Sequence, residues 1–203
     1  MEQRTEEWFQ ARLGKVTASK IADVLAKIKT GEAASRKSYK IQLVSERLTG
    51  KKTDTYINQA MQDGIDREES ARNAYIFMYN DVEEVGFIDH PTIPMSGCSP
   101  DGMVGEDGLI EIKCPTATTH TDTLMSGNVP SKYIGQIMWQ LACCHPERKW
   151  VDFVSYHPDF PENLQLFVKR VERDDKLIAE IEGEVKQFLS EVEEVVNNLK
   201  EKK

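Results

Sequence analysis

The spacing of apolar residues predicts helices in the first eighty residues of the chain and strands in its middle. Helices are predicted at 5–14, from an N-cap at Thr17 or Ser19 through residue 25, at 35–50 and at about 55–79. A loop with basic residues separates the second and third helices. In the fourth helix, Glu68 shares a stripe with apolar residues, so its side chain is predicted to face a core or a cleft.

Runs rich in β-branched and aromatic residues predict strands at 82–88, 101–104, 109–113, 150–156 and 164–171. Further helices are predicted near 120–127 and 132–144, and a final amphipathic helix starts at Asp174. The predicted fold class is therefore α/β, with a central mixed β-sheet flanked by helices. The 203 residues are long enough for one sizeable core, so one domain over residues 1–203 is predicted.

Composition and charge restrict the functional classes only in part. Hydrophobic residues make up 39% of the chain, no apolar run reaches the length of a membrane span, and the polar start is unlike a secretory leader, so a cytoplasmic protein is expected. The net charge of −8 is unusual for a protein that binds nucleic acid. However, a nuclease that works through divalent metal needs carboxylates, and basic residues do concentrate at 27–52.

The cysteines and histidines do not show the spacing of a metal site. The four cysteines lack CxxC pairs, which indicates reduced, partly buried thiols and disfavours an iron-sulfur cluster. The four histidines lack HxH or HxxxH spacing, so none is predicted to be a ligand. The three tryptophans, at positions 8, 139 and 150, are predicted to lie in the core.

The stretch CSPDGMVGEDGLIEIKCP carries the most informative charges. Alternation along 109–113 places Glu111 and Lys113 on one face of a strand, and Asp101 on the partner strand reaches the same end of the hairpin. Two close carboxylates repel each other unless a cation lies between them, and oxygen ligands suit Mg²⁺ or Mn²⁺. The carbonyl of Ile112, on a predicted bulge, offers a further oxygen. The alternative is a surface hairpin with a cross-strand ion pair.

Four blocks together give the sequence a specific resemblance. SPDG followed by GLIEIKCP resembles the PD-(D/E)xK nuclease superfamily, and within it the phage lambda exonuclease type, or YqaJ-like viral recombinase family. RLGKVTAS at 12–19 is similar to that family's N-terminal motif, GIDREESAR at 64–72 to its glutamate motif, and YIGQIMWQL at 133–141 to its glutamine motif. The blocks occur in the family's order and span most of the chain.

The resemblance implies a role for each matching residue of the hairpin and its surroundings. Asp101, Glu111 and the Ile112 carbonyl would bind metal, Lys113 would be the catalytic lysine, and Glu68 would complete a two-ion Mg²⁺ site in which Mn²⁺ can substitute. Gln136 would lie beside them on its helix, although it could instead cap the helix or contact another subunit. For Glu68, the alternative is an exposed i, i+4 ion pair with Arg72.

A second group of residues would contact DNA. Arg12, Ser19 and Ser99 match the positions that bind a 5′-terminal phosphate in the family, and a guanidinium is chemically suited to that task. Ser19 could alternatively, or additionally, cap its helix. Lys29 falls where the family has a loop cation, and Met61 falls where it has an apolar wedge. Core packing is the alternative for Met61.

The implied activity is that of a metal-dependent 5′ to 3′ exonuclease on double-stranded DNA ends, which releases mononucleotides and leaves 3′ single strands. The resemblance also implies a ring-shaped homotrimer, a phage or prophage protein acting in a bacterial host, and a single-strand annealing protein as a recombination partner. Two alternatives remain open: an endonuclease of the same superfamily, of repair or restriction type, and a DNA-end-binding scaffold without catalysis.

Overall fold

The structure is a computed structural model of the chain, and it describes residues 2–53, 59–144 and 147–202, without the side chains of 59–61. The helices are α1 (Glu6–Arg12), α2 (Ile21–Val24), α3 (Ala34–Thr49), α4 (Gln59–Met78), α5 (Ala117–Ser126), α6 (Ile134–Cys143), α7 (Glu162–Gln165) and α8 (Asp175–Lys200). The strands are β1 (Val16–Thr17), β2 (Ile88–Asp89), β3 (Ser96–Cys98), β4 (Gly102–Val104), β5 (Gly108–Lys113), β6 (Trp150–Tyr156) and β7 (Leu166–Glu172).

The strands form two sheets. The larger has the order β4-β5-β6-β7, in which β5 and β6 are parallel and the two outer pairs are antiparallel. The smaller has the order β1-β3-β2, with β1 parallel and β2 antiparallel to β3. Both sheets are thus mixed, and helices pack against them. The predicted α/β fold class is confirmed, although the single central sheet is replaced by two.

Alternation along β5 divides the core between the two faces of the larger sheet. Leu109 packs in the larger cluster with residues of α3, α6 and α8, whereas Ile110 and Ile112 pack in a second cluster with Ala71 and Tyr75 of α4. The predicted alternation of residues 109–113 is confirmed. Glu111 therefore faces α6, and α4 covers the opposite face.

Two predicted strands differ from the structure. In the predicted strand at 82–88, only Glu83 forms an isolated bridge, to Met103 beside the larger sheet, and Ile88 pairs in the smaller one. The segment crosses between the sheets, so it cannot pair continuously with either. The strand predicted from residue 164 begins at Leu166, because residues Glu162–Gln165 form a helical turn.

The second predicted helix is also different. Val16 and Thr17 pair with β3, a 3-10 turn covers Ala18–Lys20, and α2 follows with only four residues. Thr17 makes no side-chain capping bond, and Ser19 lies inside the 3-10 turn. The prediction that Thr17 or Ser19 caps this helix was therefore wrong. The predicted start of the fourth helix, near residue 55, lies outside the described residues.

Gly14 fixes the turn between α1 and β1. Its φ of +66° is unfavourable for residues with a side chain, and a Cβ there would lie 2.8 Å from Cγ of Arg47. Its N–H donates to Oε2 of Glu46 at 2.9 Å, and its carbonyl accepts a bond from Nε of Arg47 at 2.9 Å. Side chains of α3 thus form hydrogen bonds with both backbone groups of Gly14 and fix the path of the chain between Arg12 and β1.

Candidate active site and neighbouring pocket

The β4–β5 hairpin positions Asp101. The ladder between these strands begins at Gly102, opposite Ile110, and Asp101 directly precedes it. The half-buried Asp101 extends the pairing through its side chain, because the backbone N–H of Ile112 donates to its Oδ2 at 2.6 Å. On the other side, 108–113 pair one to one with 150–155, so the bulge predicted at Ile112 is not present. The Asp101 carboxylate is thereby fixed at the end of β5.

Glu111 is a buried carboxylate surrounded by donors. Its side chain is 1% exposed and forms an ion pair with Lys113. Two amides of α6 complete its surroundings: Nε2 of Gln136 donates to Oε1 and Nε2 of Gln140 donates to Oε2, both at 2.5 Å. A buried carboxylate needs such partners. Gln136 therefore contacts Glu111 within this chain, as expected from its place beside the hairpin.

Gln140 was missed in the sequence. It is fully buried, and its Oε1 has no hydrogen-bond partner among the described residues. The available signal was the i, i+4 spacing of two glutamines, which places both amides on one face of α6. An amide in an otherwise apolar helix segment, one turn after a predicted site residue, indicates a shared partner.

The electrostatics of these groups are coupled. Burial raises the pKa of Asp101 well above its usual value, and the negative charges of Glu111 and Glu68 add to this increase. Burial alone would lower the pKa of Lys113, but Glu111 and Asp101 outweigh it, so that pKa is raised and the ammonium is retained. Two crowded carboxylates beside one ammonium leave excess negative charge, which favours a further cation.

Glu68 on α4 approaches the same region from another side. Its carboxylate accepts from Arg4 at 2.5 Å and from Arg72 at 3.3 Å, and its side chain is 21% exposed. The i, i+4 ion pair with Arg72, which was the alternative to a metal-site role for Glu68, is thus present. Glu68 also contributes to the raised pKa values of Asp101 and Cys114, which indicates that it lies near the end of β5. Arg4 was not predicted from the sequence.

The donors fit a hard cation in type, but not as a complete ligand cage. Within residues 2–53, 59–144 and 147–202, no group of three His, Cys, Asp or Glu side chains converges as a metal site. The charge of Glu111 contributes to the raised pKa of Asp101, and Ile112, which follows Glu111 in the chain, donates its N–H to Asp101. Mg²⁺ often takes only one or two carboxylates and retains water, so this oxygen set suits it.

A separate pocket of about 240 Å³ lies beside α1 and includes Arg12 and Ser19 among its lining residues. Nη1 of Arg12 donates to Oγ of Ser99 at 3.0 Å, and Nε1 of Trp8 donates to the same oxygen at 2.9 Å. The Arg12 guanidinium also lies 4.0 Å above the ring of Trp8. Arg12 therefore lines the same pocket as Ser19 and is hydrogen-bonded to Ser99, which is only two residues from Asp101.

Arg12 has no carboxylate partner among the described residues. Its pKa is lowered, chiefly by burial. A partly buried guanidinium without a counter-charge favours binding of an anion. Trp8, which was predicted to lie in the core, is instead half-buried and lines this pocket. Trp139 is fully buried and Trp150 partly buried.

Of the two remaining predicted DNA contacts, only the side chain of Lys29 lies within the described residues. Lys29 is exposed in the loop between α2 and α3 and does not line the pocket. The backbone of Met61 belongs to the first turn of α4, but its side chain lies outside the described residues.

His90, His120 and His157 are buried, and His145 is also outside the described part. None of the described helices is long and apolar enough to cross a membrane.

Comparison with known proteins identifies the family. The model of the YqaJ-like viral recombinase domain matches residues 7–147. The chain belongs to this family. The resemblance predicted from the four sequence blocks is thus confirmed, and the blocks at 12–19, 64–72, 99–115 and 133–141 all lie within the matched region.

Solved structures extend the similarity over almost the whole chain. An alkaline exonuclease, LHK-Exo from Laribacter hongkongensis, is 52% identical with a TM-score of 0.89, covering 97% of this chain and 96% of that one. The same enzyme in complex with dAMP gives 52% identity, the same coverage and a TM-score of 0.90. A phage-related exonuclease from Haemophilus somnus 129PT is 15% identical with a TM-score of 0.68, covering 91% and 96%, and supports the fold alone. A comparison with curated proteins gives no match.

Proposed function

We propose that this YqaJ-family protein is a metal-dependent 5′ to 3′ exonuclease on double-stranded DNA ends, which releases mononucleotides and leaves 3′ single strands. One observation carries the proposal: the guanidinium of Arg12, without a carboxylate partner in the described chain, contacts Ser99, two residues before the carboxylate of Asp101. An anion-binding pocket beside a hydrolytic cluster suits an enzyme that starts at a phosphorylated end. Identity of 52% to an alkaline exonuclease over nearly the full length supports it.

The reaction adds one water molecule and breaks one P–O bond of the phosphodiester. Asp101, Glu111 and the Ile112 carbonyl would hold Mg²⁺, or Mn²⁺ in its place, and the surroundings of Glu68 would serve a second ion. When bound, the metal lowers the pKa of water and offsets charge on the phosphate. Lys113 retains its proton and stands beside Glu111, where it can orient the water or stabilise the developing charge.

Gln136 and Gln140 act on this chemistry through Glu111. Each amide holds one carboxylate oxygen, which fixes the orientation of the side chain before substrate arrives.

Arg12, with Ser19 and Ser99, would bind the 5′-terminal phosphate, while Lys29 and Met61 would contact the DNA further from the end. The pocket would thereby select ends and favour phosphorylated ones.

The wider setting is part of the same proposal. A ring-shaped homotrimer would retain DNA by topology, which offers an explanation for how a chain with a net charge of −8 stays on its substrate. The family's description as a viral recombinase domain supports a phage or prophage role in a bacterial host, with a single-strand annealing protein as partner. Measurement of the molar mass in solution by light scattering tests the trimer.

The decisive experiment compares a linear duplex carrying one 5′-phosphate with a closed circle of the same sequence, in Mg²⁺ and in EDTA. The expected result is shortening of the phosphorylated strand from its 5′ end, in Mg²⁺ only, with a loss of about 100- to 1000-fold for Lys113→Ala. Cutting of the circle would instead establish the endonuclease. Binding to ends without cutting would establish the scaffold.

A further inference from the structure

The pocket beside α1 contains four cationic side chains, and they divide into two kinds. Lys15 is paired with Asp89 at 2.5 Å, and Lys20 is paired with Asp23 at 3.0 Å. Arg12 and Lys52 have no ion-pair partner among the described residues. Two of the pocket's positive charges are therefore already neutralised, and two are available to an external anion.

Both available cations are held on aromatic rings. Nζ of Lys52 lies 3.7 Å from the centroid of the Phe9 ring, and the Arg12 guanidinium lies 4.0 Å from that of Trp8. The two rings contact each other edge to face, with centroids 5.0 Å apart. Cation–π contact orients a charge without neutralising it, unlike an ion pair. Adjacent residues of α1 thus position two separate cations at one pocket.

The backbone on both sides of Lys52 is fixed, although its side chain is exposed. Gly50 ends α3 with a φ of +66°, and the N–H of Lys51 donates to Oγ1 of Thr49 at 3.2 Å. The N–H of Thr53 donates to Oε1 of the buried Glu46 at 3.4 Å. Lys52 is consequently presented to Phe9 from an anchored turn rather than from a free loop.

We propose that Lys52, seated on Phe9, is a second phosphate-binding residue that contacts a backbone phosphodiester of the bound DNA end, next to the terminal phosphate at Arg12. This inference rests on the proposed function of the pocket. Arg12 is half-buried and hydrogen-bonded to Ser99, so it suits a terminal phosphate that can enter the pocket. Lys52 is exposed at its rim and suits a phosphate that remains in the chain, for which a point charge is sufficient.

The test is the salt dependence of binding to a blunt, 5′-phosphorylated duplex in EDTA, which prevents cutting. Lys52→Gln is expected to weaken binding about 3- to 10-fold at low salt and to reduce the slope of log K against log salt by about 0.9, as for one lost phosphate contact. Lys51→Gln is the matched control, because it removes the neighbouring exposed charge and is expected to leave the slope unchanged. An unchanged slope for Lys52→Gln, or equal changes in both variants, would overturn the proposal.

Two further variants separate this site from the one at Arg12. Phe9→Leu keeps Lys52 but removes the aromatic ring that it contacts. This variant is expected to weaken DNA binding, as Lys52→Gln does. Lys52→Gln should weaken binding to 5′-phosphorylated ends and to 5′-hydroxyl ends by the same factor. Arg12→Gln should instead abolish the preference for phosphorylated ends. Loss of that preference in Lys52→Gln would assign it to the terminal phosphate and refute a second site. If Arg12→Gln keeps the preference, the proposed function of the pocket fails, whatever Lys52 does.

Discussion

Nε2 of Gln140 lies 2.5 Å from Oε2 of Glu111, and both side chains are almost fully excluded from solvent. Gln136 holds the other oxygen of the same carboxylate at 2.5 Å. Glu111 is therefore fixed by α6 from one side and by Lys113 from its own strand. The position of the carboxylate depends on the packing of a helix against the sheet, not on the hairpin alone.

Gln140→Leu should reduce both stability and activity. It leaves one oxygen of a buried carboxylate without its donor, which lowers the free energy of unfolding by about 1 to 3 kcal/mol. Loss of a group that orients a metal ligand typically costs about 10- to 100-fold in metal affinity or activity. Urea unfolding and the Mg²⁺ concentration for half-maximal cleavage measure the two effects.

The matched control is Gln187→Leu. Gln187 donates to Glu191 at 3.2 Å across one turn of α8, an exposed amide–carboxylate contact. Its loss should change stability by under about 1 kcal/mol and leave the Mg²⁺ requirement unchanged. Equal behaviour of the two variants would contradict an orienting role for Gln140.

Much of the fold is accessible from the sequence because strong periodicity reports burial directly. The stripe along α8 and the alternation along β5 have one arrangement that buries their apolar side chains, and the structure adopts it. The segment 82–88 misleads because its β-forming residues cross from one sheet to the other. Which residues pair is decided by tertiary position, which composition does not encode.

The candidate site is accessible in part for a similar reason. Asp101, Glu111 and Lys113 are close in sequence, so local geometry is enough to bring them together. The roles of Arg4, Trp8 and Gln140 depend on long-range packing: Arg4 reaches Glu68 across 64 positions. No local pattern marks such contacts, apart from the spacing of the two glutamines on α6.

Gly14→Ala should destabilise the turn that carries Arg12 more than its backbone angle alone predicts. A residue with a side chain in this left-handed conformation costs about 1 to 2 kcal/mol. In addition, the new Cβ would lie 2.8 Å from Cγ of Arg47, which must move. Urea unfolding should show a larger loss than the angle alone explains, and the preference for 5′-phosphorylated ends should weaken.

Gly50→Ala provides the control for that substitution. Gly50 has the same φ of +66° but nothing within 4 Å of the added Cβ, so it reports the conformational cost alone. The difference between the two variants is the steric cost at Arg47. Equal losses of stability would show that the contact with Arg47 is accommodated freely.

The buried cysteines should resist alkylation in the native state. Cys98, Cys143 and Cys144 are at most 6% exposed, and Sγ of Cys98 lies 3.6 Å from Sγ of Cys144. Burial raises the pKa of Cys98, Cys143 and Cys114 alike, so access to solvent and not thiolate content decides which thiol reacts first. Iodoacetamide at pH 8, followed by mass spectrometry, should therefore modify the half-buried Cys114 first. All four should react in urea; equal rates in the native protein would refute the burial of this cluster.

An ion-pair network between α3 and α8 should make stability depend on acid pH. Glu191 is bonded to Arg36 at 2.8 Å and to Lys40 at 2.7 Å. The Arg36 hydrogen bond is the largest cause of a pKa lowered to about 2 from 4.5, against burial, which acts to raise it. A lowered carboxylate pKa stabilises the fold above the unfolded value, and this contribution is lost as pH falls from 4.5 towards 2.

Glu191→Gln should therefore lower the free energy of unfolding at pH 7 by about 1 to 3 kcal/mol, allowing for partial solvent screening. Between pH 4.5 and 2, the stability of Glu191→Gln should fall less steeply than that of the wild type. Part of the pH dependence should remain in the variant, because Glu32 also pairs with Arg36 and Lys40. Urea titrations at pH 7, 4.5 and 3 provide the measurement. Glu194→Gln, an exposed change on the same helix, should follow the wild-type curve. Parallel curves for Glu191→Gln and wild type would show that this carboxylate does not link the two helices in solution.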